Sequence, residues 1–512
     1  MKNKIVSILL VLVLIVSCMA CGREKRKPID AAENIKMSEN PVTITYLTIG
    51  NKPTNGKTEL VIEKLNKILL KELNAKLDIY YIGWDDYLNQ YDSVLDLGKI
   101  DIDLVGTGSD WLDTWQNVQK GNFLPLSEEM LRTYCPDTYR NVTSEQWQEC
   151  SYNGDIYMIP ENEYSQWTNH GFIYRDDIAK KAGIDEVKSW NDLTKYVTYV
   201  AENIPEMTPW DVKGDNTIIT LGYLMSASGY VPIYELTTYG LWGADKDNLK
   251  TIYSPFYEGD ELIEFAKLMK QWNNIGVWKK DLVTSGDNSE EFLAGITALE
   301  QHHTQQFFTQ IKPNMEITQI GSDVKFFWFG KEKANLLKTS ILHGAMAIYK
   351  GSKNPERALM VYDMLRNDKE CYRLLRYGIE GVQYVVNKDG MLEKPSGYNV
   401  DRDSIVTNFW WGRRDEEEIP DSTYAWSDYY ELLEDYNHVA IDYPWDKVPF
   451  MSVDYGPEME AVLKVCEKYI PEITYGQYEV TPLEEVEAFR KALKEAGFEG
   501  LTSQIQAVRD EF

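Results

Sequence analysis

Histidine is scarce in this chain: there are five in 512 residues, at His170, His302, His303, His343 and His438. With so few, and with no H-E-x-x-H pair, a histidine-built metal centre has little to draw on. His302 and His303 are adjacent, so on a helix or strand their rings point to different sides and do not share one ion. Missing too are the G-x-S-x-G nucleophile elbow, the G-x-x-x-x-G-K-[ST] phosphate loop and the G-x-G-x-x-G dinucleotide turn. Positive charge is short: 53 Lys+Arg stand against 81 Asp+Glu, a formal −28. Phosphate backbones need a concentrated positive face, so nucleic acid is excluded as a partner. Only 19 residues are Pro and 43% are hydrophobic, which excludes disorder as the main state. Six cysteines are too few to scaffold a chain of this length. A Cys135 to Cys150 bridge would close a loop of about 15 residues, but free thiols are the expectation.

What is abundant is the aromatic ring with a polar edge: 34 Tyr and 15 Trp against 15 Phe. Such rings suit wet binding surfaces. One long aliphatic run exists, Ile5 to Val16 behind Met1-Lys2-Asn3-Lys4. It is shorter than the ~20 residues of a spanning helix and has the length of a signal-peptide core. Ile15-Val16-Ser17-Cys18 resembles a bacterial lipobox, and Ala20-Cys21-Gly22 offers a second, overlapping site. The expectation is a signal segment over 1–20 or 1–17, with Cys21 or Cys18 as the lipid-bearing N-terminus. Residues 21–40 then read as a tether whose basic cluster, Arg23 to Lys27, is drawn to anionic headgroups. This places the body outside the bacterial cell membrane, held to its outer face by lipid.

The body opens as an α/β pattern. Val42 to Ile49 alternates as a strand, and Val61, Leu65, Ile68, Leu69 and Leu73 give a helix from about Lys57 to Leu73. Leu77 to Ile82 returns as strand, Trp84 to Leu97 as helix, and Ile102 to Val105 as a third strand. That β-α-β-α-β order predicts a parallel sheet whose ligands meet the loops at strand carboxyl ends, here Ser109-Asp110-Trp111.

Further along, Asn153-Gly154-Asp155-Ile156-Tyr157-Met158-Ile159-Pro160, Tyr174-Arg175-Asp176-Asp177-Ile178 and Ser189-Trp190-Asn191-Asp192-Leu193 follow in order. So do Ser352-Lys353-Asn354-Pro355-Glu356-Arg357-Ala358 and Tyr377-Gly378-Ile379-Glu380-Gly381-Val382-Gln383-Tyr384. This succession resembles the family 1 extracellular solute-binding proteins of ABC importers, and the last run resembles a lipoprotein subgroup with an extra C-terminal helical segment. The resemblance implies an α/β, two-lobe periplasmic-binding-protein-like fold with an interlobe cleft and hinge. It implies 41–159 and 287–330 in lobe 1, 160–286 and 331–450 in lobe 2, and 451–512 as the helical segment. It further implies a monomer that uses no cofactor, binds a small solute and delivers it to ABC permease subunits.

A sugar presents hydroxyls at its edge and C–H groups on its faces, so its site needs flat rings beside amide, carboxylate or guanidinium groups. Four stretches offer that mixture: Ser109-Asp110-Trp111; Glu161, Glu163 and Tyr164 in the segment to Trp167; Trp242 within Tyr239 to Gly243; and Trp410, Trp411 and Arg413 in Asn408 to Arg414. His302, in the Gln301 to Gln306 stretch, is a further hydrogen-bonding candidate facing the cleft. The acidic run Asp415 to Asp421 lacks the spacing of a calcium loop and reads as a solvated loop. No catalytic residue is assigned. The expected function is capture of a carbohydrate, an oligosaccharide, by hinge closure. The alternatives are a surface glycan-cleaving hydrolase using two carboxylates, or a carrier for peptides or another polar solute.

Overall fold

Two sheets, each drawing strands from distant parts of the sequence, frame the computed structural model, which describes residues 40–85, 87–161, 167, 169–212, 216–279, 288–446 and 448–511. Their strands are β1 (Val42–Ile49), β2 (Ala75–Ile82), β3 (Leu104–Thr107), β4 (Met158–Pro160), β5 (His170–Arg175), β6 (Leu299–His303), β7 (Val324–Trp328) and β8 (Ala345–Ile348). The first sheet runs β2-β1-β3-β8-β4 and the second β6-β5-β7.

The opening unit forms as its periodicity predicts. β1 pairs in parallel with both β2 and β3, and the helix Lys57–Leu73 buries Val61, Leu65 and Leu69 against them. It ends at Asn74, held in the left-handed conformation at φ 46°, where a short polar side chain is tolerated. Ser189 caps the helix Trp190–Asn203 by accepting the Asp192 N–H at 3.0 Å.

The lobe boundaries differ from those implied by the resemblance. β6 and β7 both pair antiparallel with β5, so 287–330 contributes to the second lobe. β8 lies antiparallel between β3 and β4, which returns the chain after 344 to the first lobe. The helices Pro355–Asn367 and Lys369–Tyr377 and the turn Phe409–Gly412 also pack there. The cause is side-chain chemistry that strand patterning does not reveal: Ala345-Met346-Ala347-Ile348 is wholly apolar and completely buried, fit for a central position, whereas β6 ends in polar Gln301-His302-His303 at an edge.

The chain passes from one lobe to the other between β4 and β5, again at 329–344, and a third time after Gly412 on the way to the helix Trp426–Val439, which packs on the second lobe beside Phe308 and Trp328. The first two crossings touch, the Glu161 N–H donating to the Gly344 carbonyl at 3.0 Å. Three helices follow, Gly456–Thr474, Pro482–Glu495 and Phe498–Asp510, covering the second lobe. Cys135 and Cys150 are buried free thiols, so the bridge is not formed. Among the described residues no helix is long and apolar enough to cross a membrane. Cys18 and Cys21 lie outside the described residues.

Candidate functional site

A cleft of about 1830 Å³ lies between the lobes, flanked by both touching crossings. That exceeds the ~300–1,000 Å³ typical of small-ligand pockets. Its floor is the loop after β3, at a strand carboxyl end as open α/β sheets require. The Ser109 N–H donates to the Leu342 carbonyl at 2.8 Å, and the Trp111 indole N–H donates to the His343 carbonyl at 2.8 Å. The loop is therefore pinned to the second crossing.

On this floor stands a ladder of indoles. Trp111 stacks on Trp411 with centroids 6.0 Å apart and planes at 10°, and on Trp84 at 6.3 Å and 24°. Trp410 reaches Trp84 at 6.3 Å. Trp411 is fully buried and lies flat against β3, where a Cβ on Gly106 would overlap its ring. Glycine there is what lets the indole sit on the sheet. Trp411 thus supports the ladder, while Trp84, Trp111 and Trp410 line the cleft.

Asp110 meets His343 at 2.9 Å. Burial opposes ionisation of both, but each stabilises the other's charge, holding the carboxyl below and the imidazole above its usual range. Glu161, 3% exposed, differs: burial pushes its carboxyl up to about 8, only partly offset by His343, Arg413 and Arg366. Glu235 behaves alike, raised by burial to about 7 although the Tyr443 hydroxyl donates to it at 2.6 Å. Tyr443 also stacks on Tyr234 at 5.8 Å.

Across the cleft, the segment Thr304–Thr318 contains a π-helical turn at Phe307–Ile311 and presents Gln305, Gln306 and Gln310. Trp426 and Tyr430 stack beside them at 6.1 Å and 28°. His302 lines the cleft with its ring parallel to His170 at 6.3 Å. Burial and the neighbouring His302 push His170 down to about 3, so it stays neutral. No group of His, Cys, Asp or Glu among the described residues is arranged to hold a metal ion.

The structure thus brings Ser109, Asp110, Trp111, Glu161, His302, Trp410 and Arg413 to one cleft. Arg413 is 5% exposed and faces it with its Nε bound to Asp415 at 2.7 Å. Trp242 does not belong. It is completely buried, stacked on Phe498 at 4.7 Å with its N–H on the Thr502 hydroxyl at 2.8 Å. Glu163 and Tyr164 lie outside the described residues. Nor is the acidic run a solvated loop: Glu418 takes a two-pronged contact from Arg376, and Asp415, Glu418 and Asp421 line the cleft. Sequence reasoning missed Trp84, Tyr234, Glu235 and Tyr443. Trp84 carried a usable signal, since Gly83-Trp84 follows the end of β2 just as Trp111 follows β3.

Residues 450–512 match the family described as a domain of unknown function (DUF3502). Along its length the chain is 22% identical, over 98% of its own residues and 96% of the relative's, to a carbohydrate ABC transporter substrate-binding protein of Streptococcus pneumoniae. Among solved structures it is similar to the N-glycan transport solute-binding protein of Streptococcus pneumoniae in complex with Man1GlcNAc, with a TM-score of 0.69 at 18% identity, covering 92% of this chain and 99% of that one. It is also similar to an alginate-binding protein, at a TM-score of 0.64 and 16% identity, covering 93% and 99%. Two sheets linked by adjacent crossings, with a cleft beside them, give this chain the mixed α/β architecture of the extracytoplasmic solute-binding proteins.

Proposed function

We propose that this protein is the substrate-binding component of an ABC importer, capturing an oligosaccharide between two lobes and delivering it to permease subunits at the membrane. The observation that carries the reading is the indole ladder Trp111-Trp84-Trp410 facing a wall of glutamines across one large cleft. Rings stack on the C–H faces of sugars, and amides and carboxylates take the hydroxyls. The carbohydrate-transport names of the relatives support the same reading, and none of those cited is named a hydrolase.

The mechanism is hinge closure. Ligand that touches both lobes only in the closed form shifts the population by its differential affinity for that form. The lipobox-like segment supports anchoring through Cys18 or Cys21, and the match over 450–512 supports an added C-terminal segment of the kind the subgroup carries. The protein acts as a monomer on the outer face of the cell membrane.

Thermal shift with a panel of oligosaccharides and peptides tests this on the tether-free protein. Ligand at 100 times its Kd should add about 2.7 kcal/mol of stability, with the sugar recovered unchanged and a smaller radius of gyration by scattering. Stabilisation by peptides alone, or release of cleaved sugar, would refute it.

A further inference from the structure

The alginate-binding protein is named for a polyuronate and the Streptococcus structure holds an uncharged glycan, so the shared fold leaves the charge of a cargo open. The cleft's own charges address it. Arg376 donates through Nε and Nη2 to the two oxygens of Glu418 at 2.9 and 2.8 Å. Arg413 donates to Asp415 at 2.7 Å and lies 3.9 Å from Glu418. His343 is held by Asp110 at 2.9 Å. At the rim, Lys338 pairs with Asp442 at 2.6 Å, and Lys394 sits over the Tyr398 ring at 4.8 Å. Glu161 and Glu235, by contrast, make no ion pair among the described residues, and burial holds both toward the neutral acid, so they offer an anionic sugar no counter-charge. Arg376, Arg413, His343 and Lys338 of the described wall are thus paired with carboxylates, Lys394 at the rim rests on a ring, and carboxylates outnumber lysines and arginines in the lining.

We propose that this cleft selects uncharged oligosaccharides and rejects those bearing carboxylate or sulfate groups, because its guanidinium and imidazolium groups are already closed by carboxylates of the same wall. The inference rests on the carbohydrate reading above. A sugar carboxylate seeking Arg376 must displace Glu418 and leave it buried beside a like charge. Breaking a buried pair and juxtaposing like charges are each strongly unfavourable. Burial opposes ionisation of Glu418, but the Arg376 guanidinium outweighs it and holds the carboxyl at about 2, so that charge persists across physiological pH. A sugar hydroxyl meets no such obstacle. Each paired carboxylate keeps lone pairs that accept an O–H, and the glutamine amides can both donate and accept. The wall is therefore acceptor-rich, suited to reading hydroxyl protons.

The test is calorimetric titration of the tether-free protein with two arms of matched glycans: mannotetraose and lacto-N-tetraose within a neutral library, tetramannuronate and sialylated lacto-N-tetraose within an acidic one, at 20 and 200 mM salt. The expected result is binding from the neutral arm, with affinity changing less than twofold with salt, and acidic counterparts at least 100-fold weaker. Acidic members binding as well or better overturn the inference while leaving the carbohydrate reading intact. Silence in both arms removes that reading and this inference with it. Asp415→Asn, which weakens the hold on Arg413, should shrink the neutral-to-acidic ratio at least fivefold. Glu418→Gln should shrink it further, with folding verified by its thermal transition. An unchanged ratio in folded Asp415→Asn protein overturns the role given to the ion pairs.

Discussion

Trp111 and Trp242 look alike in sequence, each a tryptophan in a short turn with glycine close by, yet they end in opposite surroundings. Trp111 stands half-buried in the cleft on a ladder of indoles, and its N–H is spent on the backbone of the second crossing. Trp242 lies under the C-terminal helices, sealed by Phe498 and Thr502. The difference arises some 260 residues away in the chain, where Phe498–Asp510 folds back over the second lobe. A ring next to glycine is free to serve as a platform only if no later element covers it. Trp111 of the first lobe accordingly stays open to the cleft, whereas Trp242 of the second fastens the added helices.

Substitution at the two sites should separate these roles. Trp242→Ala should cost about 3–5 kcal/mol of stability, the range for removing a buried Trp, with sugar affinity of the remaining folded protein changed less than twofold. Urea denaturation and calorimetry together read both quantities. Trp111→Ala should reverse the pattern: an affinity loss of about 2 kcal/mol, roughly thirtyfold, at a smaller cost in stability. If Trp242→Ala abolished binding in folded protein, the division between platform and fastener would fail.

The same contrast explains how much the sequence disclosed. Periodicity located Lys57–Leu73 with both its ends, because it buries one face against its chain neighbours, and short apolar runs gave the order of the first three strands. The lobe assignment of 287–330 and of the chain after 344 was not legible, since sheet membership depends on which distant strand accepts an edge. The loop Ser109-Asp110-Trp111 could be found from its place after a strand. Tyr234, Glu235 and Tyr443 could not, because the site element they form joins residues about 200 positions apart. Arg376 and Glu418, 42 positions apart, were hidden too: one stands just before the run read as a subgroup motif and the other lies in the acidic stretch read as a solvated loop.

Acids of the cleft allow a comparison in pH. Burial raises Glu161 to about 8 from an ordinary 4.5, so its contribution to stability is complete below about pH 4.5 and is lost as pH rises through 8. The slope approaches about 1.4 kcal/mol per pH unit inside that window. Asp110, lowered by His343, has the opposite sign, its contribution lost only as pH falls through its depressed value. His343 itself is raised, so it adds to the decline as pH rises through its raised value. Arg413, Arg366 and Asp415 also act on Glu161. Glu161→Gln should therefore flatten the fall in melting temperature between pH 5 and 8 without removing the His343 share. An equally steep fall in the variant would place the titrating group elsewhere.

Trp84 gives the finest form of the comparison, because it shares the ladder with Trp111 but not its anchoring. It is 44% exposed, and its backbone N–H rests on the Asn51 side chain at 3.3 Å, while its ring touches Tyr87, Trp111 and Trp410. It joins Trp111 to Trp410 but is the most exposed of the three, so a ligand reaches it only at the solvent side of the cleft and the more buried contacts stay in place. Trp84→Ala should thus cost about 1 kcal/mol of binding, near fivefold, and only for sugars long enough to reach it. Titration with a disaccharide and a tetrasaccharide of the same residue checks this: the disaccharide affinity should stay within twofold of the parent protein. Equal losses for both lengths would make Trp84 part of the central site, and no loss for either would remove it from the cleft's contact surface.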